Sequence, residues 1–298
     1  MRKPLLFPFP GNAGLADRLA GPIGGEIGKL TVRRFPDGES YVRIESRVEG
    51  RTVLLCCTFD RPDDKIMPLF FLARTAKELG AEKVLLIAPY LAYMRQDDRF
   101  QPGEGISSRH FGRLLSDLFG GLVTVDPHLH RHHSLEEVYS IPNRVVRAAP
   151  AISKWIQTHV PHPLLIGPDR ESEQWVAAVA AGTGAPHLIL EKTRRGDRDV
   201  EISLPVSDRW RDRIPVLVDD IISSAATMIE AVGQVRRAGL PPPVCIGVHA
   251  VFADRAYADL LASGAARVLT CNTIPHDSNQ IDVSDLLSDG VRGLLASL

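Results

Sequence analysis

The sequence predicts an α/β protein made of two similar domains, 1–145 and 146–298, each a mainly parallel sheet flanked by helices. Three observations carry this prediction. Short, nearly continuous apolar runs alternate with amphipathic segments, the pattern of parallel strands covered on both faces by helices. A strand at 52–57, a helix at 66–79, Gly80 and a strand at 83–89 recur as 214–218, 225–238, Gly239 and 244–251. At 298 residues the chain is long enough for two domains of about 150 residues each.

The elements follow in order. Residues 52–57 are β-rich and apolar, and 66–79 keep helical periodicity until Gly80, a helix stop. Residues 83–89 are a second apolar strand, 107–119 a second helix and 122–125 a third strand. Strands at 164–166, 187–190, 216–218 and 244–251, with a helix at 173–180, complete the pattern. The domain boundary is expected near Pro142 to Pro150, and the last residues are free to pack back on the first domain.

Composition narrows the class. Hydrophobic residues make up 44% and charged residues 24%, ordinary values for a soluble globular protein. Thirty-five cations against thirty-six anions give a net charge of −1, which argues against nucleic acid or an anionic membrane as partner. Cys56, Cys57, Cys245 and Cys271 show no metal-ligand spacing and read as buried thiols of a reducing cytoplasm. Neither a signal peptide nor a membrane-length apolar run is expected.

The segment from Val216 to Thr227 carries the most chemistry. An apolar strand leads into Asp219 and Asp220, then into Ser223, Ser224, Ala225, Ala226 and Thr227 before a helix. Open α/β folds bind ligands at the carboxyl ends of their strands. Adjacent acids there can hold two sugar hydroxyls, directly or through a hard divalent cation. Hydroxyls and N–H groups at a helix start form a phosphate site. Together they describe a pentose 5-phosphate; capping acids and serines after a buried strand are the alternative.

Four further segments stand beside it. In Arg34-Phe35-Pro36-Asp37-Gly38-Glu39, an exposed aromatic can stack on a base while Asp37 and Glu39 accept its hydrogen bonds; a solvated hairpin turn is the alternative. Arg95 and Gln96, with Asp97 beside them, follow a strand and suit phosphate and base recognition. Residues 101–105 read as a mobile linker. His128 ends a strand as a metal or phosphate ligand, while His130, His132 and His133 read as solvated or capping residues. No usual zinc set is completed. Asp169 follows a strand as ligand or helix cap, and Lys192 and Arg194 leave another in a loop suited to neutralising phosphoryl charge.

In this order the motifs resemble the ribose-phosphate diphosphokinase (phosphoribosyl pyrophosphate, PRPP, synthetase) family over nearly the whole chain. The resemblance implies two phosphoribosyltransferase-type domains and transfer of the diphosphoryl group of MgATP to the 1-hydroxyl of ribose 5-phosphate, giving PRPP and AMP. It implies that Phe35, Asp37 and Glu39 reach the adenine of ATP, often in a neighbouring subunit, so that the protein is a homodimer or larger. It further implies ATP contacts from Arg95, Gln96 and Asp97, Mg2+ at His128 and Asp169, and a catalytic Lys192 partnered by Arg194. Asp219 and Asp220 would bind the ribose hydroxyls, and Ser223, Ser224, Ala225, Ala226 and Thr227 the 5-phosphate. The loop departs from the common bacterial Asp-Thr-Ala-Gly-Thr; its first serine is similar to the archaeal-type branch. Ala226 replaces the usual glycine, which is expected to restrict positive φ. A different pentose phosphate, a non-catalytic regulatory paralogue and a phosphoribosyltransferase are the competing readings.

Overall fold

The structure is a computed structural model that describes the backbone of residues 2–195, 199–203 and 210–298, and the side chains of 2–190 and 210–298. The chain forms two compact units, Met1–Arg147 with Ser284–Leu298, and Ala148–Val283.

The first unit runs β1 (Leu5–Pro8), α1 (Ala13–Ala20), β2 (Glu26–Ile27), β3 (Leu30–Arg34), β4 (Ser40–Ile44), β5 (Thr52–Cys56), α2 (Asp63–Glu78), β6 (Lys83–Ala88), α3 (Ser107–Leu118), β7 (Leu122–Val125) and β8 (Asn143–Val146). Its main sheet has the order β2-β1-β5-β6-β7-β8, and every pairing in it is parallel. Val53, Leu54, Leu55 and Cys56 are all buried, as are the residues of β6 after Lys83, so these strands are covered on both faces.

The second unit runs α4 (Ala149–His159), β9 (Pro163–Gly167), α5 (Glu173–Thr183), β10 (His187–Ile189), β11 (Glu191–Arg195), β12 (Asp199–Ser203), β13 (Ile214–Ile222), α6 (Ala226–Arg237), β14 (Val244–Ala250), α7 (Ala256–Ala262), β15 (Arg267–Cys271) and β16 (Asn279–Ile281). Its parallel sheet has the order β10-β9-β13-β14-β15-β16, the same pattern of crossovers as the first. The chain ends in α8 (Ser284–Ser297), which packs on α1, β7 and β8 of the first unit.

Three local features bear on the site. Helix α2 starts at Asp63, because Pro62 and two acids in the first turn form an N-terminal signal that outweighs the later periodicity. Pro68 lies inside this helix and lacks the N–H that would meet the Asp64 carbonyl. Arg34 supplies a substitute: its Nη2 lies 3.4 Å from that carbonyl oxygen and 2.8 Å from Asp64 Oδ1. The antiparallel β3–β4 hairpin is thereby tied to α2. Third, of the residues expected as a loop, Glu191–Arg195 form β11, which pairs antiparallel with β12; Gly196 and Asp197 lie outside the described residues.

Two helical glycines allow a controlled test of packing. A Cβ on Gly112 would lie 2.5 Å from the Val138 carbonyl oxygen, whereas one on Gly293 would meet only ordinary contact, 3.6 Å from Arg144 Nε. Gly293→Ala should stabilise by about 1 kcal/mol through helix propensity. Gly112→Ala should destabilise by about 1–3 kcal/mol through overpacking. Thermal melts followed by circular dichroism should therefore move in opposite directions; equal shifts would refute the close approach of α3 to Val138.

Candidate active site

In the second unit the connections leave β9 and β13 in opposite directions, one toward β10 and the other toward β14. Such a topological switch opens a crevice at the carboxyl ends of the two strands. Strand β9 pairs with β13 only as far as Ile166 opposite Leu217, whereas β14 stays paired with β13 to Ala250 opposite Ile222. Asp219 and Asp220 therefore lie within β13, not beyond its end as the sequence implied. They sit on the stretch whose β9-side edge is no longer paired.

Asp169, two residues past β9, lies on the other side of the crevice. It caps a short 3-10 turn, Arg170–Ser172, accepting the Ser172 N–H at 3.1 Å through Oδ1. The capping alternative is thus realised, and it fixes the carboxylate beside the crevice. Asp219 Oδ1 accepts the Asp220 N–H at 3.0 Å, and Asp220 Oδ1 accepts the Ile221 N–H at 2.8 Å. These short internal bonds orient both side chains. Burial pushes the Asp219 carboxyl well above the usual carboxylate range, and the Asp220 and Asp169 carboxylates push it further. Three acids gathered at one crevice are a site that disfavours its own charge.

The following loop supplies donors. Ala225, at φ +60° in the left-handed region, occupies the N-cap position of α6, and Ile229 N–H donates to its carbonyl at 2.8 Å. Ala226 is the first residue of the helix and has no positive φ. The expectation that Ala226 replaces a conformationally required glycine is therefore corrected: the strain falls one position earlier. Ser223 and Ser224 precede this twelve-residue helix and Thr227 is its second residue; Ala226 N–H lies 3.5 Å from Ser224 Oγ. Lys192 and Arg194 lie in β11, opposite Ile202 and Val200 of β12; their side chains lie outside the described residues.

In the first unit Phe35 sits at the tip of the β3–β4 hairpin, 40% exposed. The turn is closed by Phe35 N–H to the Glu39 carbonyl at 2.8 Å and by Glu39 N–H to Asp37 Oδ1 at 3.1 Å. Arg33, which the sequence reading did not single out, places its guanidinium 4.5 Å from the Phe35 ring and 4.2 Å from that of Tyr41. Its signal was the alternation of side chains along β3 and β4, which aligns Arg33 opposite Tyr41.

Arg95 is exposed after β6, while Gln96 turns to the Glu104 carboxylate at 3.3 Å. Glu104 also accepts the N–H groups of Phe100 and Gln101 at 2.8 and 3.0 Å, so residues 101–105 form an organised turn instead of the expected linker. Asp97 is turned inward, 5% exposed, and paired with Arg131 at 2.6 Å. His128 lies half-buried after β7, its ring 3.9 Å from that of His130. His130 is thus packed and not solvated, and His132 Nδ1 lies 3.0 Å from Glu137 Oε2.

The comparisons with known proteins follow this geometry. Residues 5–118 match the N-terminal domain of ribose phosphate pyrophosphokinase, and residues 134–286 match the phosphoribosyl transferase domain. The ribose-phosphate pyrophosphokinase of Methanopyrus kandleri is 33% identical over 94% of this chain and 96% of its own length. That of Sulfolobus acidocaldarius is 30% identical over 91% and 93%. The crystal structure of phosphoribosylpyrophosphate synthetase from Mycobacterium smegmatis shares the fold, with a TM-score of 0.85, 24% identity and full coverage of both chains. None of the described helices is long and apolar enough to cross a membrane. On the matched domains and the identity to full-length relatives, the chain belongs to the ribose-phosphate pyrophosphokinase family.

Proposed function

We propose that the protein is a cytoplasmic, ATP-dependent ribose-phosphate diphosphokinase that moves the diphosphoryl group of MgATP to the 1-hydroxyl of ribose 5-phosphate. The observation that carries this reading is the meeting of Asp169 with Asp219 and Asp220 across the β9/β13 crevice, directly before a hydroxyl-lined helix start. A pentose 5-phosphate offers the complementary groups: a diol for the acids and a dianion for the loop.

Each residue then has a role. Ser223, Ser224 and Thr227, with the N–H groups around Ala225 and Ala226, hold the 5-phosphate; Asp219 and Asp220 accept the ribose hydroxyls. Phe35, Asp37 and Glu39 meet the adenine, in the site of a second copy of the chain, and Arg95 and Gln96 contact ATP from their own subunit. Asp97, buried against Arg131, acts by holding that loop and not by touching ATP. Transfer is an in-line displacement at the β-phosphorus: the 1-hydroxyl oxygen forms the new P–O bond and gives its proton to solvent, while the bond from the β-phosphorus to the α,β-bridging oxygen breaks and AMP leaves with that oxygen. Alignment and cationic stabilisation dominate such a step, which gives Lys192 and Arg194 their part.

The donor set suits magnesium. Asp169, Asp219 and Asp220 supply hard oxygen ligands, and the burial and neighbouring carboxylates that raise the Asp219 proton affinity set up a charge that a divalent cation would offset. Asp169 in the second unit and His128 in the first each offer a ligand atom. Bound at either residue, each within its own unit, magnesium would neutralise phosphate charge.

Incubation with MgATP and ribose 5-phosphate should release AMP and PRPP in equal amounts. If no AMP forms with any pentose 5-phosphate, or if PRPP is instead consumed with a nucleobase, the proposal fails. Lys192→Ala should lower kcat by about 10²–10³-fold with little change in either KM; wild-type turnover would remove Lys192 from the mechanism.

The acid cluster predicts an exchange of stability for function. A carboxyl whose folded pKa is raised binds its proton more tightly in the folded state, so stability is fully present at low pH and is lost as pH rises through the folded pKa. Asp219→Asn removes that loss. Its Tm should exceed wild type at pH 7–8, by about 2–4 °C per kcal/mol relieved, and converge with wild type below pH 4, while activity collapses. A variant no more stable at neutral pH would show that Asp219 bears no such burden.

A further inference from the structure

Resting on the reading of residues 223–227 as the sugar-phosphate loop, we infer that the ring cluster of Phe252, Tyr257 and His276 is a positioning device for that loop, so that ribose 5-phosphate affinity depends on residues that do not touch it. The loop does not stand alone. Its first residues are held from the segment after β14: Phe252 N–H donates to the Ile222 carbonyl at 2.9 Å, and Ala253 N–H to the Ser223 carbonyl at 3.0 Å. Displacing Phe252 would therefore move the backbone from which the phosphate donors project.

That segment is itself strained. Phe252 has φ +32° and Asp254 φ +49°, a region that side chains with a Cβ seldom adopt and a bulky aromatic least of all. Such a backbone persists only where its surroundings over-determine it. The rings provide the determination. The Phe252 ring lies 4.7 Å from His276 and 5.1 Å from Tyr257, and those two lie 4.8 Å apart. The closed triangle draws one member from the strained segment, one from α7 and one from the segment after β15.

His276 is fixed in turn. Its Nδ1 is met twice by Ser278, by the backbone N–H at 3.1 Å and by the hydroxyl oxygen at 2.8 Å. The His276 N–H donates to Asn279 Oδ1 at 3.0 Å, and Asn279 Nδ2 donates to Thr270 Oγ1 at 2.9 Å and the Cys271 carbonyl at 2.8 Å. The chain of contacts thus runs from β15 through His276 and Phe252 to the start of the phosphate loop. All three rings are half-buried, so removing one leaves the apolar core beneath them in place.

The test uses His276→Ala and, on a separate element, Tyr257→Leu, with His276→Phe restoring a ring. Steady-state kinetics should show the KM for ribose 5-phosphate raised about 10-fold in His276→Ala and Tyr257→Leu, with kcat and the KM for ATP within about 2-fold, and largely recovered in His276→Phe. Calorimetric titration with ribose 5-phosphate alone should show the same order of affinities. Variants that lose thermal stability yet bind ribose 5-phosphate like wild type, or in which both KM values rise together, would overturn the inference. A wild-type protein that binds no ribose 5-phosphate at all would instead overturn the reading of the loop, and this inference with it.

Discussion

The second unit is organised around an electrostatic conflict, three carboxylates brought to one crevice by backbone that leaves them no alternative. Asp169 is held by its cap on Ser172, and Asp219 and Asp220 by N–H groups one residue on. None can swing away without giving up a bond to the backbone. Because β13 continues past its pairing with β9, the two acids ride on a rigid strand and not on a loop. Rigidity is what makes the conflict useful: a flexible acid would relax into solvent, whereas a fixed one keeps its unfavourable charge available to a cation or a diol. Folding bears this cost, and under the proposed function a bound cation would relieve it.

The same topology is used differently in the first unit. There the switch lies between β1 and β5, and Asn12, just past β1, accepts the Thr58 N–H through Oδ1 at 3.0 Å. Lys65 donates to the Thr58 carbonyl at 2.8 Å and pairs with Asp60. The polar groups at this switch thus bond to one another. The candidate ligand residues Arg95 and His128 instead follow β6 and β7, and Phe35 is carried out on an added hairpin. Duplicated architecture does not imply a duplicated site; what decides is whether the groups at the switch satisfy one another or remain in conflict.

How much of this was legible in the sequence follows from how local each signal is. The apolar runs of β5, β6 and β7 and the acids of β13 were legible because burial on both faces and a hydroxyl-rich helix start are written in consecutive residues. The α/β class and the repeat followed from them. The return of the last residues to the first unit was anticipated, but their form as helix α8 was not read from the sequence. Neither was the true length of β13, whose last residues are held only by pairing with β14. Ala226 misled because a glycine in the usual pattern implies a positive φ that the backbone places on Ala225 instead. Glu104 and Arg131 were passed over because a charged loop looks alike whether its charges face water or bind neighbouring N–H groups.

Backbone strain ties these threads together. Among the described residues, the non-glycine positions of positive φ are Arg61, Tyr93, Asp126, His162, Ala225, Phe252 and Asp254. All but His162 fall in the segments that leave the carboxyl ends of β5, β6, β7, β13 and β14. Each such residue costs on the order of 1–3 kcal/mol, and random drift would scatter that cost over both ends of the strands. Its concentration at one edge of each sheet is what a chain selected for a particular placement of loop donors would show, since sharp turns out of a strand bring N–H groups and side chains back over its end. The opposite edges carry little of this strain, because their connections have only to reach the next helix. The distribution of strain therefore marks the carboxyl edge of the strands independently of charge, and in the second unit both signals fall on β13 and the loop beside it.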